Sequence, residues 1–272
     1  MLKTRILLVV GSAIVIWLIF LLPKVVVNNE AEISENGNGP APSPGQTTEE
    51  MHTEVSPEIQ NAISQLRVQM DGRLPKEKNA IFADSLANLY QRASKFDSAA
   101  WFAEEASKFF NTTESWIKAG DQYYQAYTFA LDQAKQNELA EKARAFFKKV
   151  LDVNPKNLDV KTKLAMTYVS SNPMQGVTML REVLADDPKN EAALLNMGML
   201  SIQSGQHERA IERLEELIKI NPDHAQAQLL LGIALMNTGE KARAKQQFEK
   251  VKQMDNDPAV QATVDSYLKD LK

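Results

Sequence analysis

The stretch DPKNEAALLNMG at residues 187–198 is followed 34 residues later by NPDHAQAQLLLG at residues 221–232. Each copy opens with Asp or Asn before a proline and carries a glycine ten residues after that proline. A fixed period of about 20 to 50 residues is typical of folds built from stacked repeating units. The period therefore decides the fold class before any single helix is assigned.

The period extends through the carboxy-terminal half of the chain. Four pairs of residues 34 apart agree in size or type, namely Gly198 with Gly232, Gly205 with Gly239, Ala210 with Ala244, and Leu214 with Phe248. One unit earlier, Leu180 and Val183 keep the pattern, although Gly176 stands where the later units have alanine. Ala210, Ile211 and Leu214 recur at helical spacing, which predicts a helix with one buried face.

Asx-Pro pairs separate the units, and they stand at residues 154–155, 187–188, 221–222 and 257–258. A residue before proline is disfavoured in the α conformation, and Asn or Asp favours a turn, so one helix pair should end at each separator. The glycines and alanines of the period remove bulk where helices cross closely. Larger residues at those positions should overpack the interface.

These positions resemble the tetratricopeptide repeat, a 34-residue helix-turn-helix unit with small residues where its two helices touch. Upstream, Trp116, Ala119, Gly120 and Tyr123 are similar to the family's Trp-x2-Leu-Gly-x2-Tyr pattern, with alanine in place of leucine. The resemblance implies an all-α solenoid of about five helix pairs over residues 80–258. The expected units are residues 80–112, 113–156, 157–190, 191–224 and 225–258.

The second expected unit is longer than the others. Gly120 lies 23 residues before Ala143, whereas Gly198 lies 12 residues before Ala210. The 11 additional residues are close to three helical turns, so the buried faces stay in phase while the hairpin lengthens. We predict a protruding arm around residues 124–142, which is either a decoration without a role or a second contact site.

Helices that cover the two ends of the solenoid are expected outside the repeats. Ser-Pro-Glu at residues 56–58 is a good helix start, and it predicts an amino-terminal capping helix and loop over residues 56–79. Residues 259–272 repeat the apolar spacing of a first helix through Val264 and Tyr267, but no partner helix follows. This segment is interpreted as a carboxy-terminal capping helix over the last apolar face.

The first 27 residues have the composition of a transmembrane signal anchor. The segment ILLVVGSAIVIWLIFLL at residues 6–22 has no charged residue and lies at the short end of the roughly 17 to 25 residues that span a bilayer. A cleaved signal peptide is the alternative, but no small-x-small cleavage site follows the apolar run. Lys3 and Arg5 precede the run and an acidic stretch follows it, so the positive-inside rule predicts export of the remaining chain.

Residues 28–55, NNEAEISENGNGPAPSPGQTTEEMHTEV, are rich in Gly, Pro, Asn, Glu and Ser and contain little to bury. This composition predicts a disordered tether with a reach of roughly 30 Å. The expected location is therefore the inner membrane, with one span, a cytoplasmic amino terminus and the solenoid in the periplasm.

Composition argues against nucleic-acid binding and against catalysis. With 31 basic and 35 acidic residues the net charge is −4, so no excess of cations is available to neutralise phosphates. The chain has no cysteine, and its three histidines, His52, His207 and His224, show no metal-ligand spacing. Neither a Gly-rich phosphate loop nor a local nucleophile signature occurs. We expect no enzyme activity, no metal and no cofactor.

The resemblance implies that the first helices of the units line a concave groove that holds protein segments. The expected groove residues are Lys161, Tyr168, Leu195, Asn196, Met199, Ile202, Leu229, Ile233 and Met236. Lys161 and Asn196 match two of five positions with which some domains of this family clamp acidic carboxy termini, but Ala165, Gln226 and Leu230 replace the other three. The apolar members favour an apolar or amphipathic ligand. Alternatively, these residues pack on the capping helix or on a second copy of the chain.

The combined expectation is a membrane-anchored periplasmic adaptor or chaperone that assists the secretion or assembly of envelope proteins. The similarity in layout to bacterial translocon subunits and cytochrome c assembly factors implies this role. Two alternatives stay open, a cytosol-facing import receptor and a structural subunit of a membrane complex. A homo-oligomer is compatible with each of them.

Overall fold

The computed structural model of the chain describes residues 55–70 and 74–271, which form twelve α-helices and no strand. The helices are α1 Pro57–Met70, α2 Lys76–Arg92, α3 Phe96–Phe110, α4 Thr113–Phe129, α5 Gln133–Val153, α6 Leu158–Thr167, α7 Pro173–Asp186, α8 Glu191–Gln203, α9 His207–Ile220, α10 Ala225–Asn237, α11 Lys241–Met254 and α12 Pro258–Asp270. The predicted anchor at 1–27 and all but the last residue of the predicted tether at 28–55 lie outside the described residues. None of the twelve described helices combines the length and apolarity needed to cross a bilayer.

The ten helices from α2 to α11 form five hairpins, so the predicted all-α solenoid is confirmed. Each second helix packs against the first helix of its own hairpin and against the first helix of the next one. The first helices of neighbouring hairpins also touch, from α4 to α6, from α6 to α8 and from α8 to α10. The buried side chains form successive clusters along the stack, because no hairpin can cover its own apolar face.

Helices α6, α8, α10 and α12 each begin with a side-chain cap at or just after an Asx-Pro separator. The capping residues are Asn157, Asn190, His224 and Asp257, and each side chain accepts a hydrogen bond from a backbone N–H in the first turn. Such caps satisfy amide groups that the helix itself leaves unpaired. Each unit therefore restarts its first helix at a defined residue.

The glycines of the period lie where a first helix crosses its partner. A Cβ built on Gly198 would lie 2.7 Å from Cγ of Leu214, and one on Gly232 would lie 2.6 Å from Cε1 of Phe248. Carbon atoms at these separations overlap, so the two side chains occupy the space that the missing methyl groups leave. The predicted role of these glycines in close helix packing agrees with this geometry.

The third hairpin turns differently because it lacks a turn glycine. Gly205 and Gly239 end the first helices of the two following hairpins with φ of 71° and 85°, a conformation that glycine adopts easily. Ser171 stands at the corresponding position, and α6 has 10 residues where α8 has 13. Arg144 of the preceding hairpin donates from Nη2 to the carbonyl of Thr167 at 3.0 Å. This bond satisfies a carbonyl at the shortened helix end.

The extended second hairpin does not form a free arm, which corrects the prediction for residues 124–142. Helices α4 and α5 have 17 and 21 residues against 13 and 14 in α8 and α9, a difference of 11 residues in all. The ring of Phe129 stacks on Phe96 at 4.5 Å between centroids, and Leu139 is buried. Because α2 also has 17 residues, the first hairpin is long enough to cover most of the extension.

Helices α1 and α12 flank the five hairpins. Helix α1 packs on α2, and α12 packs on α11. In α12 Val264 is fully buried, and Tyr267 stacks on Phe248 of α11 with ring centroids 5.0 Å apart. Lys252 of α11 forms an ion pair with Asp265 at 2.5 Å. The apolar side of α12 therefore lies against the last hairpin, and its other side is exposed.

Candidate partner-binding face

Three positions on each first helix form a continuous row along the solenoid, which we call the first-helix face. They lie three residues before, one residue after and four residues after the residue at the helix crossing. That residue is Ala87 in α2, Leu164 in α6 and glycine in α4, α8 and α10. In α10 they are Leu229, Ile233 and Met236; in α8, Leu195, Met199 and Ile202; in α6, Lys161, Ala165 and Tyr168; in α4, Ile117, Asp121 and Tyr124; in α2, Asp84, Asn88 and Gln91. Eight of the nine predicted groove residues lie in this row, and Asn196 does not.

The carboxy-terminal part of the face is apolar. The six residues of α8 and α10 in the row are all half-buried, which leaves part of each side chain open to solvent. The residues that stack the hairpins, such as Leu194, Leu231 and Leu235, are buried instead. We call the six half-buried residues the apolar strip. The structure thus brings the six residues of the apolar strip together on two adjacent helices, α8 and α10.

The apolar strip ends at α6, where two predicted groove residues, Lys161 and Tyr168, contact other side chains of the solenoid. Tyr168 is only 9% exposed, and the guanidinium carbon of Arg144 lies 4.4 Å from the centre of its ring. Lys161 forms an ion pair with Glu182 of α7 at 2.9 Å. Ala165 between them is buried. Because of these contacts and the shortened end of α6, the apolar surface does not continue onto this hairpin.

Asn196, the remaining predicted groove residue, is half-buried beside the strip. Its Nδ2 donates to the carbonyl of Ala192 at 2.8 Å, one turn earlier in α8. The side chain is therefore held against its own helix.

The amino-terminal part of the face is polar and contains a shallow, open depression of about 410 Å³ between α2 and α4. Its lining residues are Asn88, Gln91, Glu114, Ile117, Lys118, Asp121 and Gln122. We call it the α2/α4 pocket.

The charges near the α2/α4 pocket are mostly paired. Lys118 Nζ lies 2.6 Å from Asp84 Oδ1, and Lys163 Nζ lies 3.0 Å from Asp121 and 2.9 Å from Asp159. Burial raises the pKa of Asp121, although Lys163 opposes that shift. Glu114 is exposed, and its side chain has neither a hydrogen bond nor an ion pair to any described residue.

Glutamine side chains form a short chain of hydrogen bonds along the pocket. Gln122 donates from Nε2 to Oε1 of Gln91 at 2.9 Å, and Gln91 donates to Gln125 at 3.0 Å. Gln122 is 5% exposed, and its Oε1 has no partner among the described residues. Sequence reasoning missed this pocket. Extending the row upstream from Gly120 would have placed Ile117 and Asp121 on it.

A second polar cluster lies away from the face and joins three helices. Tyr123 of α4 donates to Glu104 of α3, and Lys142 of α5 donates to the same carboxylate at 2.9 Å. Burial opposes ionisation of Glu104, but the hydrogen bonds from Tyr123 and Lys142 and the charges of Lys142 and Lys108 hold its pKa below the ordinary value. Burial and the Glu104 carboxylate raise the pKa of Tyr123. This cluster links the first two hairpins.

No group of three or more His, Asp or Glu side chains within residues 55–70 and 74–271 is arranged to hold a metal ion.

Comparison with known proteins identifies the class of the fold. The tetratricopeptide repeat family profile matches residues 172–219 and 201–265. A tetratricopeptide repeat protein from Parabacteroides merdae superposes with a TM-score of 0.58 at 18% identity, over 79% of this chain and 78% of that one. TTC0263, a tetratricopeptide repeat protein of Thermus thermophilus, gives 0.54 at 17% identity, over 70% of this chain and 98% of its own. No curated protein matches the sequence.

Residues 172–265 therefore match the tetratricopeptide repeat family, and the described helices share the solenoid fold of the two tetratricopeptide repeat structures. Solenoids of this class present extended surfaces to other proteins, so the architecture indicates a role in protein–protein interaction.

Proposed function

We propose that the protein is a membrane-tethered adaptor whose apolar strip binds an apolar or amphipathic segment of a partner protein. The observation that carries the proposal is the repeated set of half-buried apolar residues on α8 and α10. Its members lie at helical spacings of four and three residues, and the two sets are 34 residues apart. An amphipathic helix presents its own apolar side chains at the same spacing.

The strip is only partly used in stacking the hairpins. Its side chains pack against the buried core clusters on one side, yet each of them stays half-buried. Half-buried apolar side chains gain further burial when a partner covers them, at roughly 25 cal/mol per Å² of apolar surface. The strip therefore has a driving force for binding that the folded chain alone does not use.

The location is part of the proposal and rests on the sequence. Residues 6–22 have the length and apolarity of a single span, and Lys3 and Arg5 stand before it. We place the solenoid in the periplasm, where the adaptor would assist secretion or assembly of envelope proteins as a binding protein and not an enzyme. An import receptor facing the cytosol and a structural subunit are the alternatives.

One crosslinking experiment tests both the strip and the location. A membrane-impermeant crosslinker added outside the inner membrane should join the wild-type protein to discrete partners. A variant with Met199→Asp and Ile233→Asp should lose them, because charges on the strip must be desolvated when an apolar segment binds. Circular dichroism and thermal melting should show that the variant remains folded.

The matched control also replaces two apolar residues with aspartate, but at exposed positions outside the strip. Val153 and Met174 are 64% and 68% exposed and lie outside the strip, so the variant with Val153→Asp and Met174→Asp should keep every partner. Equal losses in both variants would contradict the strip as the binding site. Partners recovered only with a membrane-permeant crosslinker would contradict the periplasmic location. An unfolded strip variant would show that these residues are core residues, and the binding proposal would fail.

A further inference from the structure

The α2/α4 pocket has an incomplete set of hydrogen bonds. Gln122 is almost fully buried, and its Oε1 lacks a partner although its Nε2 is bonded to Gln91. Buried polar atoms without partners are uncommon in folded proteins and are unfavourable. A ligand that brings a donor to Gln122 would complete the glutamine chain.

The pocket also contains one carboxylate that no cation balances. Lys118 is paired with Asp84, and Lys163 is shared by Asp121 and Asp159. Glu114 lines the same pocket without such a partner among the described residues. Among the groups left open to a ligand, Glu114 and Gln122 offer acceptors and Asn88 offers an amide that can donate or accept. Only Glu114 is charged.

Ile117 supplies the apolar part of the lining. It is half-buried and lies between Glu114 and the glutamine chain on the same helix. A ligand that suits this pocket combines an apolar stem with several donors and a positive charge at its end.

We propose that the α2/α4 pocket binds the side chain of an arginine in a partner's segment. The methylene groups of arginine would pack on Ile117, and its guanidinium would donate to Glu114 and Gln122. Arginine fits better than lysine, because its planar head carries five donors in a fixed arrangement and can serve two acceptors at once. A small adjustment of the Gln122 side chain would bring its oxygen to the ligand.

The pocket extends the proposed function, since Ile117 and Asp121 lie in the same row as the apolar strip. A segment bound along the first-helix face would then place a basic residue at α2 and α4 and apolar residues at α8 and α10. The inference does not depend on the strip, because the pocket is tested with a single amino-acid probe.

The test is a titration of purified full-length protein with N-acetyl-arginine N-methylamide, followed by ligand-observed NMR. The neutral isostere N-acetyl-citrulline N-methylamide has the same shape without the charge. The arginine probe should bind at least about tenfold more tightly than the citrulline probe, because charge-assisted hydrogen bonds are stronger than neutral ones. Binding of both probes with equal strength, or of neither, would overturn the proposal.

Two variants locate the binding. Glu114→Gln should lower the affinity for the arginine probe by about fivefold or more, and Gln122→Leu should lower this affinity as well. Glu77→Gln serves as the control, since Glu77 is likewise an acidic residue in the first turn of a neighbouring first helix but lies outside the pocket. An arginine affinity unchanged by Glu114→Gln, or lowered equally by Glu77→Gln, would overturn the site.

The amide orientation is tested in the same series. If Gln122 presents its nitrogen instead of its oxygen, N-acetyl-glutamate N-methylamide should bind more tightly than the arginine probe, and the proposal is wrong. The strip variant Met199→Asp and Ile233→Asp should keep full arginine binding. Loss of partners together with retained arginine binding, or the reverse, distinguishes failure of one proposal from failure of the other.

Discussion

Gly176 shows how closely a single residue controls the approach of two helices. A Cβ on Gly176 would lie 2.7 Å from the carbonyl oxygen of Ala165, so α7 lies against the backbone of α6. At Gly198 and Gly232 the nearest atoms belong to side chains, which can move more easily than a helix backbone. The sequence shows only that Gly176 replaces the alanine of the other units. The closer helix approach in this hairpin is visible only in the structure.

Replacing Gly176 with alanine should destabilise the protein despite the higher helix propensity of alanine. We expect a loss of about 1 to 3 kcal/mol in the free energy of unfolding, because the added methyl group must push α7 away from α6. Chemical denaturation measures the change. Gln175→Ala, one residue earlier and exposed, should be neutral or slightly stabilising. A stabilised Gly176→Ala variant would show that the two helices separate without cost.

Other residues could not be assigned from the sequence because their environment comes from another hairpin. Tyr168 stands at a position of the first-helix face, yet Arg144 of the preceding hairpin covers its ring. The period gives the position of a residue within its unit. It does not show which side chain of a neighbouring unit lies above it.

Helices were more predictable than the contacts between them. The Asx-Pro separators and the small residues place the helix pairs from 157 to 254, because caps and crossings are local features of each unit. The additional length of the second hairpin could also be read from the spacing. Whether the additional length packs on the first hairpin could not be predicted, since the stacking of Phe129 on Phe96 depends on the length of that other hairpin. The tip still exposes Leu131, which is 84% exposed.

The Glu104 cluster joins the first two hairpins, and its contribution to stability should depend on pH. The pKa of Glu104 in the folded protein lies below its ordinary value of 4.5, so the folded state favours the charged carboxylate. This contribution is present above pH 4.5 and is lost as the pH falls through the lowered pKa. Wild type should therefore be more stable than Glu104→Gln at pH 7, and the difference should shrink in acid.

Urea denaturation of both proteins at several pH values measures this difference. Glu105→Gln is the control, because Glu105 bonds only Lys108 on the surface of the same helix. If the difference in the free energy of unfolding between wild type and Glu104→Gln stays constant from neutral to acidic pH, the charge of Glu104 does not contribute to stability.

At the scale of the whole molecule, the fold was predictable and the binding chemistry was only partly so. A 34-residue period fixes a stack of helix hairpins, since each hairpin must bury its apolar face on the next. The apolar strip follows from the same period, because Leu195 and Leu229 repeat in step. The α2/α4 pocket does not follow from it, since the chain of Gln122, Gln91 and Gln125 spans two units that differ in sequence.

The stacked architecture also predicts that damage at one end stays local. In a solenoid each hairpin contacts only its neighbours, so α12 should stabilise the last hairpin, through its packing on α11, and affect the first hairpins hardly at all. Its main contacts with the last hairpin come from Val264, which is buried, and from Tyr267, which is half-buried and stacks on Phe248. Replacing both with alanine should cost about 2 to 4 kcal/mol in the last hairpin, through lost burial and the cavity left beside Phe248.

Hydrogen exchange read out along the chain tests this prediction. In the Val264→Ala and Tyr267→Ala double variant, amides of α10 and α11 should exchange faster, while those of α2 to α5 should keep their wild-type rates. The control replaces the exposed Thr263 and Ser266 of the same helix with alanine and should change neither region. Faster exchange from α2 to α11 alike would show that the five hairpins unfold as one unit. Unchanged exchange in α10 and α11 would show that α12 is not a structural cap.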